Sequence, residues 1–462
     1  MEDAGSLLAP RMPCPPPHAC AAALASGGAA PRDRRALLAP PWKPVLADED
    51  VARAAGYYGT GARLRRVAAK LLAGLPIKAY TLGGSGTLGV GASSPDAKYA
   101  ARFFQLLNTS FPHRDHVFGN KGIGAAGSGI FAACLERMLP QDADLVVVEF
   151  TVNEDDYAPF DSPSRRRFEQ MLRKALLLGA ANSNTDNGTT EDATLGVVAD
   201  GGCAAVVMLH HYAWHATAGN GRAAGLFYNT SEAQLGMFAN FYDVPQVSMR
   251  SALWPLMAAG IDGFKVNKVR LSNVPRIGGG IVPVAGAGER DKYYFFAQMH
   301  PADTGHKAMA EGLAGPVRRA LAEELAESMH QGRRRQLGHV WPRGLPPPMV
   351  PGNIESPTTL CAMQDDFWPV VVRHSSGFAY RPERPDKPSR VEQKWGWTAF
   401  TPGEWAELQI DSREHPNSTR SKPEVTASLV YLRSYEVSQH DKCLVRVEIL
   451  QAPGKVPSNG HK

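Results

Sequence analysis

The sequence predicts an α/β fold in which a parallel sheet is covered by helices on both faces, followed by a smaller all-β domain. Three observations lead to this prediction. Strand-like apolar segments alternate with segments of helical periodicity up to about residue 330. A stretch rich in proline and arginine follows, over residues 331–357. Beyond it the helical periodicity is lost, and short alternating segments separated by turn residues are typical of a β-sandwich.

The predicted elements follow one another in an alternating order. Apolar residues at helical spacing predict a lead-in helix over residues 52–72, and a mostly apolar run predicts the first strand over 76–82. For the helix at 163–178, Ser162 is the expected N-cap and Pro163 the first residue. Asp303 is the candidate cap of a long closing helix. The remaining predictions are strands at 117–118, 145–150, 204–209 and 246–248, helices at 97–107, 127–138, 232–242 and 304–329, and a loop or lid at 266–288.

The domain organisation follows from these changes in pattern. Residues 1–50, rich in Ala, Pro and Arg, are expected to be a disordered or targeting-like segment, and residues 51–330 form the α/β domain. Residues 331–357 are expected to be an extended linker that makes few contacts. Residues 358–455 form the β-sandwich-like domain. The oligomeric state is not indicated.

Composition limits the possible partners. Of the 462 residues, 44% are hydrophobic and 21% are charged, and the net charge is only +5. The arginine clusters have no interleaved aromatic residues, so we expect no nucleic-acid partner. No apolar run approaches the roughly 18 residues of a membrane span, so we expect no transmembrane segment.

Cysteines and glycosylation sequons bear on the compartment without deciding it. The six cysteines include no CxxC pair, so no zinc site is predicted. Cys361 and Cys443 lie near the two ends of the β domain and either pair, if the protein is secreted, or remain reduced. Sequons favour the secretory pathway or the extracellular space, and they occur at Asn108, Asn187, Asn229 and Asn417.

The first strand ends in a run of small residues that surrounds one serine. Glycines at 83, 84 and 86 flank Ser85. Such a strand leaves its end at the carboxyl edge of the sheet, where ligand sites of α/β proteins form. The glycines allow a sharp turn and a close approach of substrate. Ser85 is therefore predicted to be presented at the surface of the sheet edge.

Three further features fall at strand ends or in the loops nearby. The second strand is followed by Asn120 and a glycine-rich loop, the third by Thr151-Val152-Asn153-Glu154, and His300-Pro301 precedes the closing helix. Because parallel strands bring these loops to one edge, the side chains can converge there. A serine activated by an imidazole, with donors fixed for an oxyanion, is the set that acyl transfer requires. The backbone amides of Ser85 and of Gly124 or Ala125, with the Asn153 side chain, are candidate donors.

These motifs resemble the SGNH (GDSL-type) hydrolases. The resemblance rests on Gly-x-Ser-x-Thr-x-Gly at 83–89, Asn-x-Gly-x-Gly with Ser128, a buried strand followed by Asn153, and His-Pro-x-x-x-Gly-His at 300–306. Wider segments at 148–153, 241–248 and 431–435 are similar to an algal and plant branch with a β-rich C-terminal domain. The resemblance implies a three-layer α/β/α sandwich of flavodoxin type. It also implies Ser85 as nucleophile, His300 as general base, Gly124, Ala125 and Asn153 as oxyanion donors, and no cofactor or metal.

The sequence departs from the family pattern at three positions. Ala297 stands where the family has an aspartate that orients the histidine, Ala125 stands at a usual glycine, and Gly86 replaces an aspartate found after the serine in many members. The imidazole must then be oriented by a carbonyl of Ala297 or Gln298, or by Asp291.

Other polar residues are assigned structural roles. Glu149 on a buried strand is expected to pair within the core, with Arg173 as the candidate partner. The histidines at 210, 211 and 215 are interpreted as substrate-side or solvent-exposed groups rather than metal ligands, and His306 receives no role.

The sequence thus favours a serine esterase that cleaves ester bonds, with O-acetyl groups on carbohydrate as the expected substrate. A small-molecule or polysaccharide ester is the expected partner. The alternatives are a sugar O-acetyltransferase and a catalytically weak or inactive carbohydrate-binding protein. Ala297 favours an inactive protein, whereas the set Ser85, Asn153 and His300 favours the enzyme.

Overall fold

The structure is a computed structural model, and it describes residues 37–179, 204–216, 230–271, 275–276, 280–329, 345–355, 357–358, 360–382, 395–399 and 401–410. Its helices are α1 (Asp48–Ala54), α2 (Ala62–Leu72), α3 (Ser85–Leu88), α4 (Tyr99–Ser110), α5 (Ser128–Met138), α6 (Pro163–Leu177), α7 (Glu232–Phe241), α8 (Met249–Ala258) and α9 (Asp303–Met329). Its strands are β1 (Ala55–Tyr57), β2 (Lys78–Gly83), β3 (Val117–Asn120), β4 (Leu145–Glu149), β5 (Ala205–His210), β6 (Gln246–Ser248), β7 (Pro275–Arg276), β8 (Gly280–Ile281), β9 (Val371–His374), β10 (Ala379–Pro382), β11 (Trp395–Thr398) and β12 (Ala406–Leu408).

The central sheet has six strands in the order β1-β6-β5-β4-β2-β3. The five strands from β2 to β6 are parallel, and β1 pairs antiparallel with β6 at one edge. The parallel strands follow the 2-1-3-4-5 order of flavodoxin-like sheets. In this order the connections reverse direction between β2 and β4, which places a crevice at their carboxyl ends. The α/β fold predicted from the sequence is confirmed.

Helices cover both faces of the sheet and form two separate apolar layers. One core is formed by α2, α4, α8 and α9, and the other by α5, α6 and α7. Successive strand residues contribute to opposite layers: Val147 of β4 belongs to the first core, and Val146 and Val148 belong to the second. The strand is buried at every position, which explains its continuous run of apolar residues.

The N-terminal part of the domain differs from the prediction of one lead-in helix. The helical pattern is divided into α1 and α2, with β1 between them. Gly61 adopts a left-handed conformation (φ 63°) directly before α2, so the chain turns there instead of continuing one helix. Part of the N-terminal segment is also packed, because Leu38 is fully buried and Glu311 of α9 accepts hydrogen bonds from Trp42 and the backbone of Val45.

The end of the predicted linker makes more contacts than expected. The Glu169 carboxylate of α6 is buried and accepts the backbone amides of Met349 and Val350. Arg173 pairs with Glu355 (2.6 Å) and donates to the Pro346 carbonyl. The expectation of an extended segment with few contacts is therefore wrong for residues 345–355. The buried carboxylate explains the difference, since it satisfies backbone amides that would otherwise need water.

A disulfide bond links Cys134 of α5 to Cys361. The pairing of Cys361 with Cys443 that the sequence suggested is therefore wrong, because the Cys361 sulfur is already bonded to a residue of the α/β domain. Cysteines separated by 227 positions are brought together by packing against α5, and spacing along the chain does not reveal this.

The chain after the disulfide forms short antiparallel pairs, β10 with β11 and β9 with β12. These strands agree with the predicted change from α/β to β structure. Residues 411–455 of the predicted β-sandwich-like domain lie outside the described residues, and the sandwich architecture stays a prediction. Among the described residues, none of the helices has the length and apolar character that crossing a membrane requires.

Candidate active site

The candidate site lies at the carboxyl edge of the sheet, where β2 and β4 are neighbours. β2 leads directly into α3, whose first residue is Ser85. β4 leads into the loop that contains Asn153, and β3, on the other side of β2, leads into the loop over residues 121–127. The three strand ends that the sequence analysis singled out are thus adjacent.

The glycines around Ser85 are required by close packing. A Cβ atom at Gly83 would stand 2.1 Å from Thr87 Oγ1 and 2.4 Å from the Glu149 carbonyl oxygen. A Cβ at Gly84 would stand 2.0 Å from Asn153 Oδ1. These distances are shorter than any contact a real side chain makes. The glycines therefore let α3 lie directly against β4 and the Asn153 side chain, which holds the amide beside Ser85.

The loop after β3 is fastened to the backbone of α3. The Asn120 amide donates to the Thr87 carbonyl (2.6 Å), and its oxygen accepts the Gly122 amide (2.9 Å). A Cβ at Gly122 would stand 2.3 Å from the Leu88 nitrogen, so the two backbones touch. The Ile123 amide donates to the Gly83 carbonyl (2.9 Å). Gly124 and Ala125, the candidate oxyanion donors, follow immediately in this loop.

Ala125 has a left-handed backbone conformation, with φ at 56°. An L-residue with a Cβ pays about 1–2 kcal/mol in this region, whereas glycine adopts it freely. The conformation explains why a glycine would be the usual residue here. Such strain in a non-glycine residue is often found at functional sites, and here it falls at a position predicted to bind an oxyanion.

The loop that carries Asn153 is anchored by its neighbour, Glu154. The buried Glu154 carboxylate accepts the backbone amide of Ser128 (2.8 Å) at the start of α5, and it also accepts the Ser164 hydroxyl. The guanidinium of Arg165, which is fully buried, lies 3.6 Å from the same carboxylate. Glu154 thereby ties the β4 loop to α5 and α6. Its role was not apparent from the sequence, where it was only the residue after Asn153.

His300 reaches the same edge from the segment before α9. Its Nε2 atom lies 2.8 Å from Ser85 Oγ. The His300 carbonyl accepts the Phe296 amide (2.9 Å), which closes the turn that carries the ring. A Cβ at Gly91 would stand 2.2 Å from the Pro301 carbonyl oxygen, so the loop after α3 packs on the His300-Pro301 backbone. The predicted convergence of serine and histidine is present.

The electrostatics keep the His300 ring neutral at ordinary pH. Burial lowers the pKa of His300 to about 4, because the charged imidazolium loses its hydration. None of the expected orienting groups contacts the ring within the described residues. Asp291 is 95% exposed and pairs with Arg270 (3.4 Å), so its predicted role is wrong. The ring has no hydrogen bond to a carbonyl of Ala297 or Gln298 in the part of the chain that the structure describes.

Two further buried histidines hydrogen-bond the backbone of segments near the candidate site. His211 Nε2 hydrogen-bonds the Met299 carbonyl (3.0 Å), next to His300 in the chain. The Nδ1 atom of His306 accepts the Tyr99 amide (3.2 Å), and its Nε2 lies 3.4 Å from the Val90 carbonyl oxygen. Burial lowers the pKa to about 4 for His211 and to about 3 for His306, so both are neutral. His306 thus has a structural role in joining the loop after α3 to α4 and α9, although the sequence analysis gave it none.

Asp303 and Glu149 have partners other than those expected. α9 begins at Asp303, whose carboxylate accepts the amide and hydroxyl of Ser93 (2.8 and 2.6 Å) instead of capping the helix. Glu149 does not pair with Arg173. Its carboxylate accepts the Thr87 hydroxyl (3.1 Å), directly beneath the turn that carries Ser85. Within the described residues, no group of three or more His, Cys, Asp or Glu side chains is arranged to hold a metal ion.

Comparison with known proteins gives matches in structure. Neither a family model nor a curated protein matches the sequence. A two-domain esterase active on acetylated mannans is similar over 77% of this chain and 73% of its own, with 20% identity and a TM-score of 0.47. An acetyl xylan esterase from Geobacillus stearothermophilus is similar over 52% of this chain and 94% of its own (15% identity, TM-score 0.29). A protein of the G-D-S-L family from Desulfitobacterium hafniense is similar over 52% and 98% (13% identity, TM-score 0.29).

The residues expected of a GDSL-type site are found in two groups. Ser85 and His300 are hydrogen-bonded, and the Asn153 amide lies against Gly84. Gly124 and Ala125 lie in the loop that is bound to α3 through Gly122 and Ile123.

Proposed function

We propose that this protein is a serine esterase that cleaves acyl esters, with O-acetyl groups on carbohydrate as its substrates. The observation that carries the proposal is the 2.8 Å contact between Ser85 Oγ and His300 Nε2. This is the distance at which an imidazole accepts a hydroxyl proton. Since burial holds the pKa of His300 at about 4, the ring is a free base across the neutral range.

The reaction follows from the positions of these groups. His300 Nε2 takes the Ser85 proton as Oγ attacks the ester carbonyl carbon, and the carbonyl oxygen becomes an oxyanion. The amides of Ser85 and of Gly124 or Ala125, with the Asn153 side chain, are the proposed donors to that oxyanion. His300 then returns the proton to the leaving alcohol. Water attacks the acyl-serine, gives its proton to His300, and releases the carboxylic acid as the proton returns to Ser85.

The absence of an orienting carboxylate at position 297 points to a serine–histidine pair instead of a triad. Burial replaces part of that carboxylate's function, because a buried ring that is hydrogen-bonded to Ser85 has few alternative orientations. Among the described residues, no charged group is found to raise the pKa of the His300 ring, so the developing imidazolium has no compensating charge there. We therefore expect a modest turnover compared with serine hydrolases that contain a full triad.

A fluorophosphonate probe that labels activated serines tests the proposal. The wild-type protein should be labelled at Ser85, as mapped by mass spectrometry, and the Ser85→Ala protein should not. Acetylated mannan and acetylated xylan are the first substrates to assay for released acetate, because similar structures include esterases active on them. If a folded wild-type protein is neither labelled nor able to release acetate, the proposal is wrong.

Two alternatives remain testable. A sugar O-acetyltransferase would use the same acyl-serine, but a sugar hydroxyl would replace water in the second step. Acetate would then be transferred to an added oligosaccharide instead of being released. A carbohydrate-binding protein without activity is favoured by aromatic rings near the small β sheets. Trp395 of β11 is 43% exposed, and Trp368, in the 3-10 helix before β9, is 53% exposed and lies 5.2 Å from Tyr380 of β10. Binding of polysaccharide by a protein that is not labelled would support that alternative.

A further inference from the structure

The nucleophile of the proposed reaction sits on a structure that is too short to be stable alone. The helix α3 spans only Ser85–Leu88, and isolated helices of this length do not persist in water. The serine turn, defined as residues 83–88, must therefore be held by its surroundings. On one side the loop after β3 holds it through Asn120 and Gly122. On the side of the sheet the contacts come from β4.

Glu149 is the last residue of β4 and pairs in register with Gly83 of β2. Its side chain is 1% exposed and lies under the serine turn. The Oε2 atom accepts the Thr87 hydroxyl at 3.1 Å, and a Cβ at Gly86 would stand 3.2 Å from the same oxygen. The carboxylate therefore occupies the space that a side chain at position 86, directly after the nucleophile, would need.

A short chain of hydrogen bonds continues from this carboxylate into α4. The Tyr99 hydroxyl lies 2.7 Å from Thr87 Oγ1, and both groups are buried. Because the carboxylate accepts the single Thr87 proton, the Tyr99 hydroxyl is the donor to Thr87 Oγ1. The second carboxylate oxygen, Oε1, is buried and has no hydrogen-bond partner within the described residues. This chain of hydrogen bonds joins the serine turn both to β4 and to α4.

We propose that Glu149 is a positioning residue that fixes the serine turn from the neighbouring strand, through Thr87, so that Ser85 Oγ stays within reach of His300. Glu149 accepts the Thr87 hydroxyl and lies against Gly86, and its carboxylate has no hydrogen bond to Ser85 or His300 within the described residues. The inference rests on the proposed function of Ser85. It goes beyond that function because it names a residue of a neighbouring strand that fixes the position of the Ser85 side chain.

The charge state of Glu149 gives the inference a distinctive signature. Burial raises the pKa of Glu149 to about 7, while hydrogen bonds from the Thr87 hydroxyl and backbone oppose this rise and stabilise the ionised form. Tyr99 is the titratable group that faces the carboxylate through Thr87, and burial raises its pKa well above the usual value, so it remains a donor. The serine turn should accordingly be held best above about pH 7, where Glu149 is ionised.

The experiment compares Glu149→Leu, Glu149→Gln and Thr87→Val with the wild type, using the rate constant of fluorophosphonate labelling, kcat and KM for 4-nitrophenyl acetate, and Tm. We expect Glu149→Leu and Thr87→Val to lower the labelling rate constant and kcat by about 10²-fold with KM unchanged, since a displaced nucleophile loses rate to this extent. The double variant should be no worse than either single one, because both remove the same link. Glu149→Gln is neutral like the protonated acid, so above pH 7 it should react at the lower rate that the wild type shows below pH 7. Because it keeps an acceptor oxygen, its loss should be smaller than that of Glu149→Leu.

The pH profile separates positioning from a purely structural role. In the wild type the labelling rate constant should rise through about pH 7. In Glu149→Gln this step should vanish, leaving a fall only at acid pH as His300, with its pKa of about 4, becomes protonated. Glu169→Leu is the matched control, because Glu169 is also a buried carboxylate but contacts Met349 and Tyr242 instead of the serine turn. It should lower Tm without changing the labelling rate constant.

The outcomes distinguish this inference from the proposed function. If wild-type protein is not labelled, both fail. If wild-type protein is labelled and folded Glu149→Leu is labelled at the same rate, the positioning role is wrong while the esterase proposal stands. The positioning role is also wrong, and the esterase proposal again stands, if the losses of rate in Glu149→Leu and Thr87→Val add up in the double variant. If Glu149→Leu does not fold, the labelling rate of Thr87→Val and the pH profile of Glu149→Gln decide whether Glu149 positions the serine turn.

Discussion

The imidazole Nε2 atom of His300 lies 2.8 Å from the Oγ atom of Ser85, and burial keeps this imidazole neutral to about pH 4. The two residues lie in different connections of the chain: Ser85 follows β2, and His300 precedes α9. Their contact joins the first parallel strand to the last helix of the α/β domain. The variants below test the chemistry and the supports that this contact requires.

Removing either member of the pair should abolish catalysis. Ser85→Ala and His300→Ala are each expected to lower ester hydrolysis by about 10³-fold or more, and the double variant should be hardly worse, because the two groups act in the same step. The measurement is kcat/KM for 4-nitrophenyl acetate. Ser94→Ala, at an exposed position after α3, is the control and should keep wild-type activity. Independent, additive losses would contradict the pairing.

Asn153→Ala should reduce kcat by about 10²- to 10³-fold, the effect of removing one oxyanion donor. KM should change little, because the donor acts mainly in the transition state. Asn240→Ala provides a comparison, since Asn240 lies on α7 and its side-chain oxygen accepts the Gln246 side-chain amide (3.2 Å). A loss that appears only in KM would argue that Asn153 binds substrate instead of stabilising an oxyanion.

Ala125→Gly should raise the free energy of unfolding by about 0.5–1 kcal/mol. The substitution relieves strain at a φ of 56°, and this gain exceeds the greater backbone entropy of glycine in the unfolded chain. Chemical denaturation measures the change. The neighbouring substitution Ala126→Gly should destabilise the protein. Ala126 has no positive φ, so the substitution relieves no strain and only increases the backbone entropy of the unfolded chain. Equal effects at the two positions would show that the left-handed conformation of Ala125 is wrong.

The disulfide predicts which cysteine substitutions lower the free energy of unfolding. Cys134→Ser and Cys361→Ser should each lower the free energy of unfolding by about 2–5 kcal/mol. Cys443→Ser should leave it unchanged, since Cys361 already has its partner. Thiol titration in denaturant, with and without prior reduction, would show the bond directly. Loss of stability in Cys443→Ser, together with a bridged 361–443 peptide, would overturn this pairing.

The buried histidines predict a loss of stability in acid. Burial lowers the pKa of His306 from 6.5 to about 3, so the unfolded chain binds more protons at this residue between these pH values. Its contribution to stability is therefore present above about pH 6.5 and is lost as the pH falls towards 3. His306→Gln should be less stable at pH 7 but should have a shallower pH dependence in this window. Urea unfolding at successive pH values measures both slopes. An unchanged slope would contradict the depressed pKa.

Much of the α/β domain was predictable because its strands and helices have strong periodic patterns. The helix at Pro163–Leu177 begins where Ser162 and Pro163 predicted, and the Ser162 side chain accepts the Arg165 amide. β1 could not be predicted, since three residues carry little pattern and their pairing with β6 depends on a distant strand. The site residues were identified from their residue types at strand ends, where the topology of a parallel sheet brings them to one edge.

The sequence by itself determined the order of the five parallel strands along the chain, and with it the edge at which Ser85, Asn153 and His300 lie. These follow from local periodicity and from turn residues, which act over a few positions. Only the tertiary structure decided that Cys134 bonds Cys361, that Ala125 is left-handed, that Asp291 is exposed and pairs with Arg270, and that Glu149 accepts the Thr87 hydroxyl instead of pairing with Arg173. The physical reason is that a buried group takes the partner that packing places beside it, and packing joins residues that are far apart in the chain.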